Sequence, residues 1–252
     1  MIERLYLSTI DPAAGDMARQ YGLGVEIASF CTAWNMDECL AQTEAELEPI
    51  LAGISHRVLH GPFNELFPCA IDPKARDLAR YRYRQAIALA QKYGAKKLVL
   101  HGGFNPWLYC PQWYEEQSIL FWKEFVREIP EGMTVCLENV LEPDPQMLLA
   151  IVQAVDDRKI RLCLDVGHAN AYSKIPVMDW LEAGSDFLSH LHIHNNDGSA
   201  DTHSPLYEGT IPVKKLLSRA RQLCPEITAT LELTESLSSI HWLLEEETWK
   251  RN

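Results

Sequence analysis

Apolar positions recur along the chain in eight short runs, separated by longer stretches with helical spacing. The runs are RLYLSTI (4–10), GVEIASF (24–30), RVLHGPF (57–63), KLVLHGG (97–103), TVCLENV (134–140), RLCLDVG (161–167), LHIHNND (191–197) and ITATLEL (227–233). Each has the length of a buried strand rather than of a helix. Most lack the strict alternation of a half-exposed sheet, which favours parallel strands covered on both faces.

Between the runs the period changes to that of helices. The clearest segment is Asp72–Tyr93, with Asp72 as cap, Pro73 in the first turn and Gly94 placed for a left-handed end. Ala75, Leu78, Ala79, Ala86, Leu89, Ala90 and Tyr93 give it one apolar face. Further helices are expected at Pro12–Tyr21, Asp37–Gly53, Trp113–Ile129, Pro145–Val155, Val177–Ala183, Val213–Leu223 and Leu237–Thr248. Eight strands alternating with eight helices predict an α/β fold, a single-domain (β/α)₈ TIM barrel. An open doubly wound sheet would want a glycine-rich turn after the first strand, and STIDPAAG offers none.

The chain has 252 residues, 47% of them hydrophobic, enough for one large core, and one domain over residues 1–252 is expected. No apolar run approaches the roughly 20 residues that cross a bilayer. MIERLYLSTIDP carries charges among its first apolar residues and lacks a signal-peptide pattern. Seven cysteines without CxxC spacing suggest reduced thiols and a cytoplasmic protein. Cys136 and Cys163, set in apolar runs, read as small core residues.

Chemistry collects where the later runs end. His60 closes the third run and His101 the fourth; Glu138 closes the fifth, and Asp165 the sixth with His168 just beyond. His194 ends the seventh, with Asp201 and His203 in the loop after it, and Glu232 ends the eighth. A barrel delivers all its strand C-termini to one face, where active sites lie. A lone strand-end histidine is more often a hydrogen-bonded structural residue than a ligand, and Asp165 alone reads equally well as a helix cap. Convergence changes that balance, because carboxylates packed together without a cation would have strongly shifted pKa values. Imidazoles mixed with carboxylates suit zinc, manganese or iron. Alternation turns His190 and His192 to the same side as His194 but deeper in the barrel. His192 therefore reads as a partner of the ligands and His190 as barrel structure.

These residues resemble the xylose isomerase-like TIM-barrel superfamily, which holds sugar (phosphate) isomerases and epimerases together with type IV apurinic endonucleases (AP endonuclease family 2). The resemblance covers nearly the whole chain through HGPFNEL (60–66), an R-x₃-A-x₃-A helix from Arg82 to Ala90, LVLHGG (98–103), CLENV (136–140), LDVGH (164–168), HNNDGSADTH (194–203) and LEL (231–233). It implies one of two overlapping metal sites. An epimerase-like member would hold one ion with Glu138, Asp165, His194 and Glu232, and Glu138 and Glu232 would exchange the substrate proton. An endonuclease-like member would hold three zinc ions with His60, His101, Glu138, Asp165, His168, His194, Asp201, His203 and Glu232. The family often has Gly-x-Gly after the last histidine, where this chain reads Tyr207-Glu208-Gly209.

The charge distribution separates the two. The net charge is −12, and no Lys or Arg lies between Arg19 and Arg57, between Lys97 and Lys123, or between Lys174 and Lys214. A protein gripping duplex DNA neutralises several phosphates with such residues. Glu65, Asp72, Glu115, Glu116, Glu142, Asp144 and Glu208 instead predict an acidic rim that disfavours nucleic acid. GFNPWLYCPQWY supplies aromatic faces for a sugar-like small molecule, with Trp107 and Phe63 as substrate-binding candidates and Trp113 and Tyr114 expected to pack the next helix. The expected function is a divalent-metal isomerase or epimerase (one to three Zn²⁺ or Mn²⁺ ions) working through an enediolate on a sugar, sugar phosphate or polyol-derived carbonyl compound. The alternative is a trinuclear zinc phosphoesterase for a small phosphate ester or diester. The sequence does not fix the oligomeric state.

Overall fold

The structure is a computed structural model that describes residues 4–245. Eight parallel strands close in sequential order: β1 Leu5–Ser8, β2 Gly24–Ile27, β3 Arg57–His60, β4 Lys97–His101, β5 Thr134–Glu138, β6 Ile160–Asp165, β7 Leu188–Ile193 and β8 Thr228–Leu231. β8 pairs back onto β1 through Leu5, Tyr6 and Leu7. The helices are α1 Ala14–Tyr21, α2 Ala33–Met36, α3 Leu40–Leu51, α4 Pro73–Lys92, α5 Pro111–Phe125, α6 Gln146–Val155, α7 Val166–Tyr172, α8 Val177–Gly184, α9 Val213–Leu223 and α10 Leu237–Leu244. The closed (β/α)₈ barrel expected from the run spacing is the fold observed. None of the described helices is long and apolar enough to cross a membrane.

Two layers of burial follow from strand alternation. Side chains such as Leu7, Val25, Ile27, Leu59, Leu98, Leu100, Val135 and Leu137 point outward into the large core beneath the helices. Their neighbours point into the lumen, where Tyr6, Val58, Val99, Cys136 and Cys163 form a separate small apolar cluster. The alternation slips once, between β6 and β7: Leu162 pairs Leu188 and Cys163 pairs His190, so Ser189 is an extra residue on β7. Past that bulge His190, His192 and His194 are all buried.

Helix ends obey local chemistry. Lys74 N–H donates to the Asp72 carboxylate at 2.8 Å to cap α4, and Gly94 past its end has φ 68°. The helix expected over Asp37–Gly53 is α3, which starts three residues later than expected, and the one-turn α2 precedes it. Asp37 is engaged by Arg82 Nη1 at 2.6 Å and Gln85 Nε2 at 3.1 Å, so its carboxylate is not available as a cap, and α3 starts at Leu40. The helix expected over Trp113–Ile129 starts earlier, at Pro111, and ends at Phe125 in one 3₁₀ turn, with Ile129 extended before Pro130. α7 is an addition to the expected helices; Asp165 caps it, accepting from His168 N–H at 2.7 Å. Residues 246–248 of the helix expected over Leu237–Thr248 lie outside the described residues.

Candidate metal centre

All nine expected ligands meet at the C-terminal rim of the barrel. Glu138, at the end of β5, is the hub. Its Oε2 lies 3.2 Å from His60 Nε2 and 3.5 Å from His101 Nε2, and its Oε1 lies 3.2 Å from His192 Nδ1 and 3.4 Å from His168 Nδ1. His194 Nε2 stands 3.2 Å from both Asp165 oxygens. Asp201 Oδ2 reaches His203 Nε2 at 3.0 Å and His168 Nε2 at 3.3 Å. Glu232 Oε2 lies 3.3 Å from His192 Nδ1. Ligand atoms within 4.8 Å of one another form the groups His60–His101–Glu138, His168–Asp201–His203 and His194–His203–Glu232, among others.

The loop after β7 is shaped to bring Asp201 and His203 back to this rim. Asn195 organises it: its N–H and C=O pair with Ser204, and its amide donates to the carbonyls of Leu206 and Ile211. His203 has φ 46°, a left-handed conformation uncommon outside glycine, which turns its ring back toward the rim. The turn Tyr207-Glu208-Gly209, which departs from the family's Gly-x-Gly, closes over Asn195. A Cβ on Gly209 would stand 2.3 Å from Asn195 Oδ1.

The donor set fits a divalent metal on three counts. First, three ring orientations are fixed by the backbone: His60 Nδ1–H donates to Gly61 C=O at 2.9 Å, His168 to Asn139 C=O at 2.9 Å and His203 to Glu232 C=O at 2.8 Å. Each therefore turns an Nε2 lone pair toward the carboxylates, the arrangement that outer partners impose on metal-binding histidines. Second, His194 Nδ1 and Asp201 Oδ1 are buried without a hydrogen-bond partner, and they lie 3.6 Å apart. Orphaned polar atoms facing one another in a buried site are costly unless a cation joins them. Third, the mixture of imidazole and carboxylate suits zinc or manganese.

The electrostatics divide the two glutamates. Burial works to raise the Glu138 carboxyl, but His192 and His101 overcome it and hold the group well below its ordinary range. Burial raises Glu232, and Glu138 and Asp165 add to the shift against His192. Asp165 is brought down to about 2, because His168 and His194 outweigh its burial. Burial pushes His101 down to about 3, against the pull of Glu138. For His203, burial acts to lower the pKa, but the Asp201 carboxylate raises it to about 9.

Around this centre the aromatic candidates separate. Phe63 stacks on His101 at 4.4 Å between ring centroids, on the edge of the site. Trp107 stands 81% exposed on the loop after β4. Trp113 Nε1–H donates to Cys69 C=O, and Tyr114 is buried, so both pack the scaffold as expected. Glu142, expected on the acidic rim, is not there. It is buried, with Tyr114 O–H donating to Oε1 at 3.1 Å and Val140 N–H to Oε2 at 2.7 Å. Glu26 is absent from the expected site residues, yet it lies in the lumen below the rim, its Oε1 2.9 Å from His192 Nε2 and its Oε2 3.0 Å from His190 Nε2. The signal for it is a lone carboxylate between Val25 and Ile27 in an otherwise apolar strand.

The fold and site together define a (β/α)₈ barrel with a cluster of histidines and carboxylates at its strand ends that could hold a metal ion. Residues 18–249 match the family described as xylose isomerase-like TIM barrel, and the chain belongs to that family. It is 30% identical over 177 residues to the uncharacterized protein MJ1311 of Methanocaldococcus jannaschii, an alignment covering 66% of this chain and 60% of that one. The chain thus spans less than two thirds of that relative's length. Among solved structures it resembles a D-tagatose 3-epimerase-like protein (21% identity, 96% of each chain, TM-score 0.77). It also resembles the TTHB071 protein of Thermus thermophilus soaked with ZnCl₂ (24% identity, 100% of each chain, TM-score 0.78).

Proposed function

We propose that this protein is a divalent-metal-dependent isomerase or epimerase acting on a sugar or a related polyol-derived carbonyl compound. The observation that carries the reading is the convergence of Glu138 and Glu232 on one imidazole nitrogen, at 3.2 and 3.3 Å from His192 Nδ1. Two carboxylates entering one mouth from the ends of β5 and β8 suit a pair in which one group takes a proton and the other returns it. Glu138 and Glu232 are that pair in this reading. Glu138, Asp165, His194 and Glu232 would hold the ion. When bound, a divalent metal supplies positive charge that acidifies the carbon next to a coordinated carbonyl group. Glu138 is buried, and Glu232 keeps part of its side chain open to the mouth through which a substrate would enter.

The similarity to a D-tagatose 3-epimerase-like protein supports this reading, and the similarity to a zinc-soaked barrel supports metal loading. The βα loops support an uncharged substrate: between the strand ends and the next full helices, Lys174 is their one Lys or Arg. Nucleic acid fits such a rim poorly. The free cysteines suit a reducing compartment such as the cytoplasm. The test is solvent deuterium incorporation into a panel of ketoses and inosose-like polyols by metal-loaded protein. Exchange that disappears in Glu138→Gln and Glu232→Gln supports the assignment; no exchange into any compound of the panel rejects it.

One observation favours a second reading. The groups His60–His101–Glu138 and His168–Asp201–His203 offer ligand sets beyond the one an epimerase requires. Three ions would suit phosphoester hydrolysis, where one activates water and the others stabilise the attacking and leaving oxygens. Elemental analysis separates the readings, with about three zinc per chain for the hydrolase and about one ion for the isomerase.

A further inference from the structure

Below the rim, the lumen is split in character. On β3 to β6 it is filled by Val58, Val99, Cys136 and Cys163. On β2, β7 and β8 the comparable space holds Glu26, His190, His192, Thr228 and Thr230, all buried. The apolar half shows that this barrel can fill its interior without charge. A carboxylate buried among imidazoles is no better for stability than a well-packed apolar substitute, and is often worse. The polar half therefore calls for a reason other than packing.

Its geometry supplies one. Glu26 accepts from three sides: His192 Nε2–H at 2.9 Å on Oε1, and on Oε2 His190 Nε2–H at 3.0 Å together with the Thr230 hydroxyl. His190 is itself anchored from below, its Nδ1 on Thr228 Oγ1, which also accepts from Lys97 Nζ at 2.8 Å. The carboxylate is thus fixed in place before it meets His192. Because a carboxylate only accepts, His192 must present Nε2–H to Glu26, and the ring is then oriented with Nδ1 toward Glu138 Oε1 and Glu232 Oε2. Asp165 Oδ2 lies slightly farther from the same nitrogen, at 3.8 Å. One imidazole stands beneath three of the four residues of the epimerase-type ligand set.

We propose that Glu26 is a positioning residue for the metal centre: it holds His192 upright in the lumen and, through that ring, sets the separation of Glu138 and Glu232. The inference rests on the reading of those two glutamates as the ligating, proton-exchanging pair. Glu26 touches neither of them, so its effect passes through His192. Partners that orient metal ligands from outside typically contribute about 10- to 100-fold in metal affinity.

The experiment uses the full chain stripped with chelator, with Mn²⁺ alone as the probe in equilibrium dialysis and ¹⁵N–¹H correlation spectra of the histidine rings. His192 in the metal-free wild type should show a protonated, slowly exchanging Nε2, with His192→Gln assigning the signal. Glu26→Leu should weaken Mn²⁺ binding about tenfold or more and lose that protected Nε2 proton. Glu26→Gln, whose amide oxygen can still accept from His192, should recover affinity to within about threefold of the wild type. Wild-type Mn²⁺ affinity in Glu26→Leu overturns the proposal, and so does an unprotonated Nε2 in the wild-type spectrum, a result that stands even if the leucine variant does not fold. Absence of deuterium exchange with every sugar would reject the epimerase reading while leaving the dialysis and ring-proton results to decide the role of Glu26.

Discussion

Metal loading should stabilise the barrel in a way that counts the ions. A ligand that binds only the folded chain adds RT ln(1 + [L]/Kd), so each tenfold rise in free metal above Kd adds about 1.4 kcal/mol per ion. At 1,000 times Kd one ion contributes about 4 kcal/mol. For a chain of this size about 1 kcal/mol moves the melting temperature by roughly 2–4 °C. Filling only the Glu138–Asp165–His194–Glu232 site thus predicts a rise of about 3–6 °C per decade of metal. Filling the His60–His101–Glu138 and His168–Asp201–His203 groups as well predicts about three times that slope.

Differential scanning calorimetry on chelator-stripped protein, titrated with Mn²⁺ or Zn²⁺ buffered over three decades, reads the slope directly. His203→Ala serves as the internal control. His203 belongs to the His168–Asp201–His203 group and is outside the four-residue epimerase set. If three ions bind, the substitution removes about a third of the slope; if one ion binds, the slope stays and only the metal-free baseline moves. A melting temperature that responds to neither chelator nor metal refutes the reasoning. The orphaned His194 Nδ1 and Asp201 Oδ1 would then have to be satisfied by something other than a cation.

Three further outcomes are expected. Gly167→Ala would place a Cβ 1.8 Å from His194 Cε1, so the imidazole or the start of α7 must move; metal content should fall and stability drop by about 1–3 kcal/mol, read by elemental analysis and thermal melts. Trp107→Ala, at an exposed position, should leave the melting temperature unchanged while raising the KM of any sugar substrate by about tenfold, the worth of one aromatic face; an unchanged KM removes Trp107 from the pocket. Glu128 is held below its ordinary pKa chiefly by the hydrogen bond from Arg84, with Arg80 adding to it, and it ties α4 to the turn after α5. Because the folded-state pKa is depressed, this stabilisation is present above the unfolded pKa and is lost as pH falls through the folded one. Glu128→Gln should therefore lower urea stability by less than about 1 kcal/mol at neutral pH, an increment that closes on acidification; a constant difference across pH would show that the pair contributes nothing.

Why the rim is legible in the sequence and the layer beneath it is not follows from how each is encoded. The rim residues end six of the eight apolar runs, and parallel strands must deliver their ends to one face, so His60, His101, Glu138, Asp165, His194 and Glu232 can be assembled from the sequence pattern. Asp201 and His203 come only through the resemblance and their closeness to His194, since a loop has no period; what returns them is the side-chain amide of Asn195 and a left-handed His203. Glu142 shows the converse error, a charged loop residue assigned to solvent that is buried against Tyr114 and the Val140 amide. Loop polarity does not say which way a side chain turns.

The lumen demands a different reading of the same alternation. Parity in GVEIASF places Glu26 opposite in sense to Val25 and Ile27, both of which are fully buried in the outer core. With no water on either face of such a strand, a carboxylate there must find donors inside the barrel, and the phase of HLHIH offers them at two successive levels. The bulge at Ser189 lets Leu188 stay opposite Leu162 while His190 falls opposite Cys163. Deleting Ser189 would therefore leave a regular ladder, with Leu188 and His190 still facing those residues and the histidines still in the lumen. Deleting Leu191 instead shifts the alternation after His190. It would turn His192 and His194 to the outer core, so that Glu26 and Glu138 lose His192 and Asp165 loses His194. Each broken buried pair costs about 3–5 kcal/mol, so the expected outcome is a Ser189 deletion that folds and a Leu191 deletion that does not. A Leu191 deletion with wild-type circular dichroism and cooperative melting would mean that β7 can re-register, and that its alternation does not fix which way the histidines face.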